Sequence, residues 1–285
     1  MPELPEVEAL THFLSDKAEG RRIERADVAS LSALKTFNPP VSALVDTEVV
    51  GCSRRGKFVC LETSGPWLVI HLARGGWVHW RDNLSAAKVK MGKGPLALRV
   101  ALAPAGTSGF DVTEAGTEKR LALWVVSDPS EVEPITRLGP DPLSPDFDLG
   151  AVLAGRSGNL KGVLTDQSVI AGVGNAYSDE ALHRARMSPF KNASKLSAQE
   201  VSQLHEALVG VLSEAVESSR GVAAGELKDS KRAGMAVHGR TGEKCPVCGD
   251  TVAQVAFASK SLQYCPTCQT GGRKLADRRM SRLLK

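Results

Sequence analysis

The chain opens Met1-Pro2-Glu3-Leu4-Pro5-Glu6-Val7-Glu8, and the remainder is read outward from that octad. Proline suits the first turn of a helix, where its missing N–H has no intrahelical partner to lose. Carboxylates in that turn meet the positive end of the helix dipole. Val7, Leu10 and Leu14 recur at helical spacing, and Glu3 falls on the same stripe, one turn before Val7. The spacing predicts an N-terminal helix whose inward face is headed by a carboxylate. Beside that carboxylate, loss of Met1 would leave Pro2 as a secondary amine.

From Gly20 to about Asp128 the pattern changes to short apolar or alternating segments with Gly and Pro as punctuation. Val49 to Glu62, Leu68 to Trp80, Leu96 to Ala103 and Leu121 to Val126 read as strands, which predicts a β-sandwich carrying the one helix. Leu138 to Asp146 is turn-rich and reads as a linker. Beyond it the chain turns helical. Asp179 to Ala185 forms a short helix stopped by Ser188-Pro189, and Ser197-Ala-Gln-Glu200 is a capping box. Val201, Leu204, Leu208, Val211, Leu212 and Ala215 then follow at 3.6-residue spacing. Arg220 to Gly234 has weak periodicity and reads as a loop.

Two Cys-x2-Cys pairs carry the plainest chemistry. Cys245 and Cys248, then Cys265 and Cys268, supply four thiolates for a closed tetrahedral zinc site, with room between the pairs for a two-stranded hairpin from Gln254 to Tyr264. Four sulfur ligands leave no open position, so one structural Zn2+ is expected and no catalytic metal. Cys52 and Cys60 are left over as buried strand thiols. A second motif, Ile170-Ala-Gly-Val-Gly-Asn175, combines two glycines with a helix start, a geometry that lets backbone approach a phosphate.

The 285 residues suffice for about two domains, and 42% hydrophobic with 24% charged residues is ordinary globular composition. No apolar run approaches the ~18–20 residues that span a bilayer, and the acidic N-terminus is not a signal peptide. An intracellular, cytoplasmic protein with reduced thiols is expected. The total charge of +4 is unevenly spread. Lys228 to Lys285 holds twelve Lys and Arg against four Asp and Glu, a balance of +8, which leaves the rest at −4. A basic C-terminal end on an acidic chain fits a polyanionic partner.

Three stretches, MPELPEVE, the GVGN segment and the cysteine hairpin, resemble the formamidopyrimidine-DNA glycosylase and endonuclease VIII family of base-excision repair enzymes, in the family's order. The resemblance implies an α+β protein of two domains. These are an N-terminal catalytic sandwich over 1–135 and, after a linker over 136–149, a helix-two-turn-helix domain over 150–236 with a zinc hairpin and basic tail over 237–285. It makes Pro2 the nucleophile and Glu3 its proton-transfer partner. Expected burial of Glu3 on the helix stripe suits it to acid work. Glu6 matches an acidic position near the active site. Lys57, in Arg55-Gly56-Lys57-Phe58, and His71 match phosphate-contacting positions, and Asn175 contacts the phosphate beside the lesion. Lys260 stands where the family's hairpin carries a phosphate-gripping arginine. It keeps the charge and loses the planar fork.

Other positions depart from the pattern. Arg74 replaces the methionine that fills the gap left by a flipped base, and Lys119-Arg120-Leu121 replaces an Arg-Arg-Phe wedge, leaving Arg74 and Leu121 as the expected gap-filling residues. The loop before Cys245 is shorter than the one that caps 8-oxoguanine in the guanine-specific branch. The implied partner is double-stranded DNA with a damaged base or abasic site, bound by a monomer, in the nucleoid if the source is bacterial. The implied activity is glycosylase with lyase. The competing reading is a damaged-DNA-binding protein of the same fold that has lost catalysis.

Overall fold

Helix α1 (Leu4–Ala18) begins two residues later than Pro2. Glu3 is its N-cap and Pro5, rather than Pro2, occupies the first turn. Glu3 and Glu6 form a reciprocal capping box, in which Glu3 N–H donates to Glu6 Oε2 at 2.8 Å. The computed structural model describes residues 1–87, 89–92, 94–104, 106–257 and 261–275, with residue 228 described by its backbone alone. The chain divides into two compact units, Met1–Arg137 with Ser218–Lys228, and Leu138–Glu217 with Asp229–Lys285.

In the first unit α1 is followed by β1 (Ile23–Val28), β2 (Val49–Arg55), β3 (Phe58–Thr63), β4 (Trp67–His71), β5 (Gly76–Arg81), β6 (Leu96–Leu102), β7 (Ser108–Glu114) and β8 (Ala122–Val126), then a short α2 (Glu133–Thr136). The strands make two four-stranded antiparallel sheets, ordered β1-β6-β7-β5 and β2-β3-β4-β8. Val7, Leu10, Leu14 and Ala18 of α1 enter one core with Val59, Leu61 and Ile70 of one sheet and Val78, Leu98 and Phe110 of the other. The expected α-helix and sandwich are both present. Cys60 is fully buried and Cys52 half-buried, and burial pushes both thiols up, Cys60 to about 12.

The second unit contains α3 (Leu149–Leu153), α4 (Leu160–Thr165), α5 (Asn175–Arg184) and α6 (Ala198–Ser219). Ser197 and Glu200 close the expected capping box: Glu200 N–H donates to Ser197 Oγ at 3.3 Å, and Ser197 N–H to Glu200 Oε2 at 3.0 Å. Leu204, Leu208 and Leu212 form the fully buried stripe of α6. The turn-rich stretch after Leu138 is not slack. Gly139 N–H donates to the Gln167 carbonyl at 2.8 Å, and a Cβ at Gly139 would lie 2.4 Å from Val169 backbone.

Beyond α6 the chain departs from the loop expected over Arg220–Gly234. Residues 218–228 belong to the first unit, where Ala224 and Leu227 join its core and Trp77 Nε1 donates to the Ala224 carbonyl at 2.6 Å. Helix α7 (Leu227–Ala233) follows. Two apolar anchors over a single turn are too few to give a readable period. The chain ends its described course in the antiparallel hairpin β9 (Ala253–Ala256) and β10 (Ser261–Tyr264), then α8 (Pro266–Thr270). Among the described residues, no helix is long and apolar enough to cross a membrane.

Candidate catalytic, nucleic-acid and metal sites

The first unit gathers most of its expected site residues at strand ends and at the head of α1. Pro2 is buried beneath an exposed Met1, and Glu3 is 2% exposed. Glu6, 1% exposed, spends its carboxylate on the Glu3 N–H, which fixes the first turn and so the place of Glu3. Lys57 lies in the tight turn after Gly56, whose φ of 56° a side chain would strain, and its own side chain is 7% exposed. His71 ends β4, opposite Phe58 in the ladder and with its ring centroid 4.7 Å from that of Phe58. Burial and then the Lys57 charge push the His71 imidazole down to about 4. At neutral pH the His71 imidazole is therefore uncharged.

Two loops, each expected to fill a vacated base position, are also joined. The turn from β4 to β5 holds Ala73 at φ 49° and exposes Arg74. Its glycines are obligatory: a Cβ on Gly76 would come within 2.1 Å of the Leu72 carbonyl, and one on Gly75 within 2.4 Å of the Ala115 carbonyl. Ala115 N–H donates to the Gly75 carbonyl at 3.0 Å, bringing in the loop that carries Lys119 and Arg120. Both of those are exposed; the Lys119 amine donates to the Glu114 carbonyl.

Leu121 is placed otherwise than expected. It is 2% exposed within the sandwich core, so its side chain is committed to packing and is not poised to enter a duplex. A large aliphatic side chain at a strand entrance buries more favourably than it protrudes. The sequence also concealed Glu114. Its carboxylate, 4% exposed, accepts from Arg120 N–H at 2.7 Å and Leu121 N–H at 3.0 Å, holding the loop's backbone. A glutamate at the end of a strand has no pattern to announce that role.

In the second unit, Asn175 is the first residue of α5, after the Gly172-Val173-Gly174 turn. The turn is built on the side chain of Gln167, which accepts from Gly172 N–H at 3.0 Å and donates to the Val173 carbonyl at 2.7 Å. Asn175 Nδ2 donates to the Ser261 carbonyl at 2.7 Å, tying the turn to β10. Beneath it, buried Lys161 donates to the Asn175 carbonyl and to Asp179 Oδ1, each at 2.5 Å. Asp179 Oδ2 in turn accepts from Gln263 N–H at 3.2 Å and lies 2.7 Å from His238 Nδ1. Glu180 accepts the backbone N–H groups of Ala236, Val237 and His238 at 2.8 to 3.0 Å. Helix α5 thus anchors both ends of the cysteine segment, which its sequence did not reveal. Lys260, expected to grip phosphate, lies outside the described residues.

The four sulfurs of Cys245, Cys248, Cys265 and Cys268 lie within 4.8 Å of one another. Cys245 to Cys268 is 3.9 Å and Cys248 to Cys265 is 3.3 Å, against about 3.8 Å between sulfurs sharing a tetrahedral zinc. The donor set and spacing fit one zinc ion. Gly249, at φ 75°, turns the first knuckle, and Asp250 accepts from Thr267 Oγ1 at 2.8 Å, clasping the two knuckles together. Burial opposes ionisation of Cys245, yet the N–H groups of Cys248 and Val247 hold its thiol below the usual range. The Asp250 N–H does the same for Cys248.

Comparison with known proteins agrees across the chain. Residues 1–109 match the family described as formamidopyrimidine-DNA glycosylase N-terminal domain, 138–225 the H2TH domain of the same glycosylase, and 242–271 a zinc finger found in FPG and IleRS. A Mycobacterium tuberculosis protein described as an uncharacterized formamidopyrimidine-DNA glycosylase-like protein is 62% identical over 149 residues, 52% of this chain and 94% of that one. The formamidopyrimidine-DNA glycosylase of Symbiobacterium thermophilum is 33% identical, over 94% of this chain and 89% of its own. The Lactococcus lactis Fpg, solved with abasic-site DNA, shares 26% identity and a TM-score of 0.81 over 94% of this chain and 99% of its own.

Proposed function

Since the chain belongs to the formamidopyrimidine-DNA glycosylase family, we propose that it excises an oxidised base from duplex DNA through the Pro2 amine and cleaves the strand at the resulting abasic site. The observation that carries this reading is the head of α1: a buried Pro2 next to a buried Glu3 whose position Glu6 fixes. A DNA-binding role alone has no use for that arrangement.

The Pro2 nitrogen is an amide while Met1 remains. Removal of Met1 gives a secondary amine with a pKa of ~8, partly unprotonated at neutral pH. The damaged base leaves the stack at a cost of a few kcal/mol. The amine lone pair then bonds to C1′ as the glycosidic bond breaks, and the base departs with the glycosidic bond's electron pair. The new ammonium gives up its N–H proton to the departing base or water. Glu3 protonates the sugar ring oxygen, the ring opens, and a Pro2 iminium results. The iminium acidifies the adjacent C–H, so the strand breaks by β- and then δ-elimination, with Glu3 relaying protons. Lys57 and His71 in the first unit, with Asn175 and Lys260 in the second, hold phosphates, and Arg74, Lys119 and Arg120 face the duplex. Zinc, when bound by Cys245, Cys248, Cys265 and Cys268, shapes the hairpin and takes no part in bond breaking. The abasic DNA bound to the Lactococcus lactis relative supports a duplex of that kind as the partner, met here by a monomer.

Borohydride reduction during reaction with an abasic-site duplex tests the reading, with a panel of single-lesion duplexes to define the base removed. A covalent protein–DNA adduct through Pro2 is expected. No adduct from correctly processed protein on any substrate would leave a damaged-DNA-binding protein of the same fold.

A further inference from the structure

His183 is 5% exposed in the last turn of α5, and its Nε2 lies 3.3 Å from Cys245 Sγ. The cysteine pattern accounts for four zinc ligands and leaves this fifth polar group unused. Its ring does not belong to the set of atoms that would surround the ion, which the four sulfurs complete. We propose that His183 is a hydrogen-bond donor to the Cys245 thiolate, a neutral N–H···S contact that strengthens the hold on zinc and couples α5 to the knuckle.

The chemistry favours a donor there. Zn2+ with four thiolates carries a net charge of −2, in a segment that is otherwise basic. An N–H directed at one sulfur draws off part of that charge without changing the ligand count. Outer partners of metal ligands typically alter affinity 10- to 100-fold. A neutral imidazole has a single N–H, so the contact requires the proton on Nε2. Cys245 is also confined: it is 2% exposed, and its N–H donates to the Asp250 carbonyl at 2.7 Å. A bond from α5 therefore meets the rigid knuckle.

Placement gives the contact a wider consequence. Eight residues, about 12 Å of helix, separate His183 from Asn175 at the other end of α5. That helix carries Asn175 at its head, Asp179 and Glu180 on the cysteine segment, and His183 on the sulfur. Loading of the metal is thereby mechanically linked to the turn before Asn175. The metal contact itself does not rest on the glycosylase reading.

Two measurements on the full zinc-loaded chain decide it. In 15N-labelled protein with 113Cd in place of zinc, the His183 ring is expected as the Nε2–H tautomer with scalar coupling from that proton to cadmium. A ring protonated on Nδ1 alone would overturn the proposal. Second, His183→Phe keeps an aromatic ring and removes the donor. Zinc transfer from this variant to a chromogenic chelator should be about tenfold faster than from wild type. His205→Phe, a substitution on α6 where the ring stacks on Phe147, should leave the transfer rate unchanged. Equal rates for wild type and His183→Phe, or equal acceleration by both variants, would show that no specific N–H···S contact holds the metal. If His183→Phe does not fold, the tautomer and coupling in the wild-type chain give the decision.

Discussion

At the head of the chain, Glu3 and Glu6 rest on a core built from α1 and eight strands, with Val7, Leu10 and Leu14 fully buried. Toward its other end, the cysteine hairpin has two small apolar clusters, one of Val237, Cys245, Val252 and Cys265, the other of Val255, Leu262 and Tyr264. The first region buries enough apolar surface to hold its geometry unaided. The second does not, and small segments of this kind draw their folding free energy from a metal. On the proposed function, covalent chemistry at the first region and grip on the duplex at the second are supported by different forces and should fail separately.

The sharpest break is chemical. A retained Met1, or one residue added before Pro2, turns the attacking amine into an amide or moves it away. Borohydride trapping on an abasic duplex should fall by at least ~10³-fold, while affinity for the same duplex changes less than about threefold. Parallel loss of affinity would mean that the N-terminus is a binding element. The complementary break is Cys265→Ser. It should release zinc and lower duplex affinity by roughly 100-fold, since the hairpin loses its organising ion. Calorimetry should find the transition of the first unit unmoved. A common shift of all transitions would show that the two regions are energetically one.

The same contrast explains what could be read in advance. Helix α1, the strands and the four cysteines announce themselves because each rests on a local period or spacing: Val7-Leu10-Leu14, alternating strands, Cys-x2-Cys. The capping box of Ser197 and Glu200 was legible for the same reason. Glu114, Gln167, Asp179 and Glu180 were not, because each acts through backbone groups that only the folded chain brings near. Leu121 was misread for a related reason. Its position in the family motif suggested protrusion, whereas the depth of the sandwich decides its burial. The return of residues 218–228 to the first unit is carried by Ala224, Leu227 and one bond from Trp77, too little to leave a pattern.

A finer cut separates charge from geometry within the second unit. Asn175→Ala removes a neutral donor and its bond to the Ser261 carbonyl. Duplex affinity should drop about tenfold at every salt concentration, with the slope of log affinity against log salt unchanged. Lys260→Ala should instead reduce that slope by ~1, because one fewer counterion is displaced. An Asn175→Ala protein with normal affinity and a lowered melting temperature would make Asn175 a helix-start residue only.

The smallest expected effect probes the first unit without DNA. His71 is pushed down from 6.5 to about 4, first by burial and second by the Lys57 charge. A histidine with a depressed folded-state value stays neutral in the native protein while the unfolded chain takes up its proton. Its contribution is fully present above pH ~6.5 and is lost as the pH falls toward about 4, where the native ring protonates too. The whole shift corresponds to about 3 kcal/mol, and half-burial of the ring reduces the expected loss to about 1–2 kcal/mol. Carboxylates titrate near the lower end of this window, so the informative quantity is the difference between wild type and His71→Gln. That difference in unfolding free energy should change between pH 6.5 and 4 and be flat above pH 7. A flat difference throughout would place the His71 ring in water and remove Lys57 from its surroundings. Removing the charge by Lys57→Met should raise only the lower end of the window, and by less than burial sets, because the lysine is the lesser of the two causes.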